Sequence, residues 1–146
     1  MRPLVQRGMA ALSGLWLGLL LTVALVAAPS AFAVLERPQA GLMVARLFAI
    51  EAPASLALAL LLVVLQRWRP RGEEAPAASW ALWWPLLALG ATVWGYYVLQ
   101  PLMAEARAGQ GAFSFAQLHG LSLGLYGVKT LVVAGLWARL HFAGVR

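Results

Sequence analysis

Four apolar runs, at about residues 9–34, 42–65, 79–103 and 117–138, divide this 146-residue chain. Each reaches the roughly 20 residues that a helix needs to cross a bilayer. Backbone polar groups inside hydrocarbon must be satisfied internally, so runs of this length and continuity read as transmembrane helices. Hydrophobic residues make up 62% of the chain and the charges cluster between the runs, the profile of an integral membrane protein. The fold expected is all-α, an integral membrane four-helix bundle in which residues 1–146 form a single transmembrane domain. Only residues 67–78, with their prolines, glycine and the Glu73-Glu74 pair, read as a loop of any length.

Arginine placement orients the bundle, because cytoplasmic loops retain Lys and Arg near helix ends. Arg2, Arg7, Arg67, Arg69, Arg71, Arg139 and Arg146 fall on one side, against Arg37, Arg46 and Arg107 on the other. Both termini are therefore expected in the cytoplasm. The net charge of +6 is then a topological signal with some attraction to anionic lipid, and without a basic groove nucleic acid is not an expected partner. The chain has no cysteine, which excludes disulfides, thiolate metal sites and cysteine nucleophiles. A bias toward alanine, arginine and glycine with a single lysine suits a high-GC bacterium and its inner membrane. A rival reading takes the first run as a cleaved signal peptide ending at Ala31-Phe32-Ala33, but the run exceeds an h-region of about 7 to 15 residues, and retention as a first helix is expected.

That single lysine, Lys129, lies inside the fourth run. A cation at mid-membrane costs a few kcal/mol on insertion scales, so such a residue faces a bundle interior, a cavity or a counter-charge. With about 100° per residue, His119, Ser122, Tyr126 and Lys129 form a polar stripe. Gly120, Gly124, Gly127 and Gly135 gather on nearly the opposite side, a surface suited to close helix approach, so the fourth helix is expected to pack on two sides. Helix two carries Glu51, with Ser55 one turn on and Pro53 between them; the proline removes a donor and favours a kink. Counted from the expected cytoplasmic ends, Glu51 sits about 22 Å up and Lys129 about 14 Å up, a gap that side-chain reach narrows. The pair reads either as a structural ion pair, which need not add net stability, or as a proton-exchanging or substrate site. A further alternative is a lysine that snorkels alone.

Helix one offers Ala10, Gly14, Gly18 and Thr22 as a small-residue packing ridge. Pro29, Pro53 and Pro101 are assigned to helix packing with the glycines. Helix three opens on Trp80, Trp83 and Trp84, an aromatic belt, and carries Thr92, Tyr96 and Gln100 as a weaker polar stripe that would meet His119. No hydrolase triad, phosphate loop or paired-carboxylate site is present, so chemistry would have to come from a bound cofactor or ion. His119, Met43 and Met103, with Glu36 and Glu105 nearby, could suit copper. Haem with His119 as an axial ligand is the other cofactor reading; His141 lies about 33 Å away along the same helix, which excludes a two-histidine haem within one subunit.

Pro29-x-x-Phe32, then Gly41 and Phe48, Pro101, and Phe115-x-x-Leu118-His119-Gly120-x-Ser122 resemble, in order and spacing, an uncharacterised four-helix bacterial family similar to eukaryotic transmembrane protein 205. The resemblance favours Pro29, Phe32, Pro101, His119 and Ser122 as family positions and implies no established reaction. Tyr126 stands where an Asn would be expected. By architecture the family is also similar to copper-resistance D-type membrane proteins. The expected function is to bind or pass a small polar solute, proton or metal ion, without autonomous enzymatic activity, at a site of His119, Ser122, Tyr126, Lys129, Glu51, Gln100 and Tyr96. A homodimer fits the exposed glycine faces. The alternatives are an accessory subunit or assembly factor of a larger membrane complex, and a haem- or copper-binding membrane protein.

Overall fold

The computed structural model describes residues 2–68 and 75–142. It is helical, with no strand among the described residues, and four helices are long and apolar enough to cross a membrane. We label them by span. Helix α1 runs Arg2–Leu21, continues through a π-helical segment Thr22–Ala27 and ends with Ala28–Val34. Helix α2 is Arg37–Arg67; α3 joins Ala75–Thr92, a second π segment Val93–Val98 and Leu99–Arg107; α4 is Phe115–Phe142. The loop charges Arg69, Arg71, Glu73 and Glu74 and the terminal Arg146 lie outside the described residues, as do the side chains of Arg2 and Trp80.

Local sequence accounts for the breaks. Pro29 and Pro101 lack an N–H, and their rings crowd the carbonyls four residues back, those of Leu25 and Tyr97. Both carbonyls belong to the π segments, where the extra residue per turn relieves the clash. Pro53 is accommodated within a continuous helix. Helix α3 ends in a Schellman turn: Gly109 N–H donates to the Ala106 carbonyl at 3.2 Å and Gln110 N–H to the Glu105 carbonyl at 2.9 Å. Gly109 sits at φ 73°, a left-handed conformation that glycine adopts without a Cβ penalty. Helix α4 then starts on a capping box. Ser114 N–H donates to Gln117 Oε1 at 3.0 Å and Gln117 N–H donates to Ser114 Oγ at 3.3 Å.

The four helices form a ring in which α1 packs on α2 and α4, and α3 packs on α2 and α4. Helices α2 and α4 lie on a diagonal, with no Cα atoms within 8 Å of each other. The bundle has two unlike halves. Toward the end that carries the termini, Met9, Trp16, Leu20, Ala59, Leu62, Ala88, Val133, Leu136 and Leu140 make one buried core. Toward the end that carries the two helix-hairpin turns, the helices separate into pairs. No Cα atom of Thr22–Val34 comes within 8 Å of α4, and none of Leu99–Arg107 comes within 8 Å of α2.

Glycine placement corrects part of the expected packing. Gly14 is a contact point, since a Cβ there would lie 3.0 Å from Trp137 Nε1, and one at Gly135 would lie 2.5 Å from Trp84 Cζ3. Around Gly18, Gly120, Gly124 and Gly127, however, nothing lies within 4 Å of a built Cβ. Among the described residues, the Gly120, Gly124 and Gly127 positions therefore meet no other helix, because α1 and α3 flank α4 on other sides. Pro29, Pro53 and Pro101 are exposed; the structural effect of Pro29 and Pro101 is on backbone geometry within their own helices.

Candidate functional site

Glu51 and Lys129 each sit fourteen residues in from the start of their helix, Arg37 for α2 and Phe115 for α4, about 21 Å deep from the hairpin end. Equal depth lets them meet across the diagonal: Lys129 Nζ lies 2.7 Å from Glu51 Oε1, and both side chains are nearly fully buried. The depth difference expected from the other end shrinks because α4 continues to Phe142, four residues beyond its expected end. This is the only ion pair among the described residues.

The pair ties three helices together. Ser55, one turn beyond Glu51, donates its hydroxyl to Glu51 Oε1, and the indole Nε1 of Trp16 on α1 donates to Ser55 Oγ at 2.8 Å. Tyr126, one turn before Lys129, donates its hydroxyl to the Leu20 carbonyl at 2.9 Å. That carbonyl lies beside the first π segment, where the regular ladder is altered and acceptors are freed. The Lys129 ammonium also stands 4.6 Å from the centroid of the Tyr126 ring, a cation–π contact. Phe48, one turn before Glu51, meets Tyr126 edge to face at 5.4 Å. Each charge therefore has an aromatic ring one turn nearer the hairpin end, and the two rings touch.

Above this layer opens a cavity of about 530 Å³, within the range typical of small-molecule sites. The seven expected site residues Glu51, Tyr96, Gln100, His119, Ser122, Tyr126 and Lys129 all line it, as does Thr92. The polar stripes of α3 and α4 thus share one space. Ser122 Oγ approaches the Gly95 carbonyl at 3.5 Å, a long contact to the second π segment. Thr92 back-bonds to the Ala88 carbonyl at 2.8 Å, which satisfies its hydroxyl within its own helix.

Sequence reasoning missed two arginines and one indole. Arg37 and Arg107 were read as topology markers, yet both line the cavity. The Arg107 guanidinium stands 4.6 Å from the Phe115 ring centroid, and that ring stacks on His119 at 5.5 Å. Their signal was position: each is the charge at the hairpin end of a helix that carries a cavity-lining polar residue further along, Glu51 on α2 and Gln100 on α3. Trp16 looked like one more apolar residue in an apolar run, and only its buried N–H marks it as needing a partner.

The donor sets considered for metals are only partly assembled. His119 and Met103 reach the cavity, whereas Met43 is exposed, and neither it nor Glu36 nor Glu105 lines the cavity. The expected copper set of His119, Met43 and Met103 is thus not brought together, because Met43 lies on another face of α2. Among the described residues no three His, Asp or Glu side chains cluster as a metal site. For haem, His119 is exposed and stacked on Phe115, while His141 stacks on Trp137 toward the other end of α4.

No curated protein and no solved structure matches the chain. Residues 11–112, most of the chain and most of its first three helices, match a domain of unknown function, DUF4149. Glu51 and Arg107 fall inside the match and Lys129 beyond it. A multi-pass helical membrane protein with a cavity closed at its base by a buried ion pair, the chain belongs to the DUF4149 family.

Proposed function

We propose that this protein is a membrane-embedded binding or transport protein that takes a small molecule into the cavity at its hairpin end. The observation that carries the reading is convergence: polar side chains from α2, α3 and α4 line one cavity that ends on the Glu51–Lys129 pair. Intramembrane charges of this kind mark substrate and proton paths. By the arginine count, the cavity opens away from the cytoplasm and both termini face it, with a bacterial inner membrane as the compartment. His119 and Ser122, the two polar residues of the segment on which the expected resemblance to transmembrane protein 205 rests, also line the cavity.

The test is native mass spectrometry of the protein released into mild detergent, alongside Ala45→Trp and Ala91→Trp, which fill the cavity from two helices. A one-to-one adduct on the wild type that both variants lose supports the reading. An adduct retained by both variants, or none in any preparation, overturns it.

A second reading, a homodimer or an accessory subunit of a larger complex, is favoured by the open face of Gly120, Gly124 and Gly127. Small residues of this spacing let another helix approach closely. The same spectra report subunit number and any retained partner.

A further inference from the structure

We infer that the cavity receives a single-chain anionic amphiphile from the bilayer, its headgroup held by Arg37 and Arg107 and its chain lying between the two helix hairpins. The inference rests on the cavity being a binding site and names its ligand class. Arg37 opens α2 and Arg107 closes the helical part of α3, so opposite hairpins place one arginine each on the cavity wall. Neither forms an ion pair among the described residues. Stacking on Phe115 holds Arg107 without using up its hydrogen-bonding edge, and guanidinium forks suit carboxylate and phosphate groups.

The space below the arginines is mainly apolar, walled by Val44, Phe48, Ala91 and Leu123. At its floor the ion pair is already neutralised, and the touching rings of Phe48 and Tyr126 stand beside it, one turn nearer the arginines. A chain end can therefore rest there without leaving a buried charge unpaired. The route of entry follows from the separated hairpins. Beyond each π segment no Cα atom of α1 comes within 8 Å of α4, and none of α3 comes within 8 Å of α2, while the cavity lies between them. Both of these sides lie between helices long and apolar enough to span a membrane, where acyl chains would face them. A lipid chain can enter sideways, whereas a soluble anion would gain nothing from the apolar walls.

The test uses the full-length protein in neutral detergent, with native mass spectrometry to titrate oleate, oleyl alcohol, acetate and inorganic phosphate. Oleate is expected to bind one to one. The double variant Arg37→Gln/Arg107→Gln is expected to weaken it about tenfold or more, the effect of losing charge-assisted hydrogen bonds. The Arg37→Lys/Arg107→Lys protein, which keeps the charge but not the fork, should bind more tightly than the glutamine variant and more weakly than the wild type, which separates loss of charge from loss of fold. Oleyl alcohol should bind weakly and equally to all three proteins. Equal oleate affinity in the glutamine variant, alcohol binding as tight as oleate, or displacement of oleate by phosphate would each overturn the inference. A soluble adduct that Ala91→Trp abolishes, with no oleate bound, would leave the cavity a binding site and remove the amphiphile. Adducts insensitive to Ala91→Trp would remove both.

Discussion

The half of the bundle that carries the termini and the half that carries the hairpin turns are built from the same four helices, yet only one is filled. In the first, Gly14 and Gly135 lie against Trp137 and Trp84, and large side chains such as Trp16, Met9 and Leu62 are fully buried. In the second, the π segments coincide with the separation of the helices into pairs, and polar side chains face a cavity. Small residues let helices meet where a large partner fills the space. Where no partner is supplied, as along Gly120, Gly124 and Gly127, small residues leave an open surface. The Glu51–Lys129 pair sits at the boundary between the two halves and, with the Phe48–Tyr126 ring contact beside it, joins the diagonal helices, whose backbones stay apart.

Breaking the boundary should have the largest effect. Lys129→Met or Glu51→Leu alone leaves an uncompensated buried charge and is expected to destabilise the protein by about 3–5 kcal/mol. The double variant Glu51→Leu/Lys129→Met should recover most of that loss, because the pair itself adds little net stability. Thermal unfolding in detergent, arranged as a double-mutant cycle, measures both. Additive losses in the double variant would mean that the two residues act independently.

The contrast between filled and open halves is sharpened by two alanines. Gly135→Ala forces a Cβ against the Trp84 ring and should cost about 1–3 kcal/mol, whereas Gly124→Ala should change stability by no more than about 0.5 kcal/mol. If the two costs were equal, α4 would not be rotated as described. A smaller effect is expected at the start of α4: Ser114→Ala removes the cap and should cost about 1 kcal/mol, seen as earlier amide exchange in the first turn. Smaller again, Tyr126→Phe deletes the hydrogen bond to the Leu20 carbonyl. Its cost should be near the average of about 0.6 kcal/mol for interhelical bonds in a membrane, with faster amide exchange in the adjoining turns of α1 as the local sign.

Much of this architecture was legible in the sequence. Four apolar runs specify four helices, and the 3.6-residue period places His119, Ser122, Tyr126 and Lys129 on one face. A lone lysine and a lone glutamate within apolar runs announce each other. Helix adjacency was less legible, because Gly120 and Gly135 carry the same signal and only the packing of Trp84 distinguishes them. Arg37 and Arg107 were counted only as the minority charges in the topological rule, so their second position, on the cavity wall, went unnoticed. The equal depth of Glu51 and Lys129 depends on where each helix begins, which the capping box at Ser114 fixes more sharply than the end of the apolar run does.

The central claim is that one half of the bundle is a filled core and the other an accessible cavity. The chain has no cysteine of its own, so two near-isosteric substitutions test the claim in native membranes. Ser122→Cys places a thiol on the cavity wall and Ser13→Cys places one in the packed half. Thiols react as thiolates and need access to water. N-ethylmaleimide should label Ser122→Cys many times faster than Ser13→Cys, and labelling should slow in Ala91→Trp, which fills the cavity. Equal rates at the two positions, or an unreactive thiol at position 122, would contradict the account.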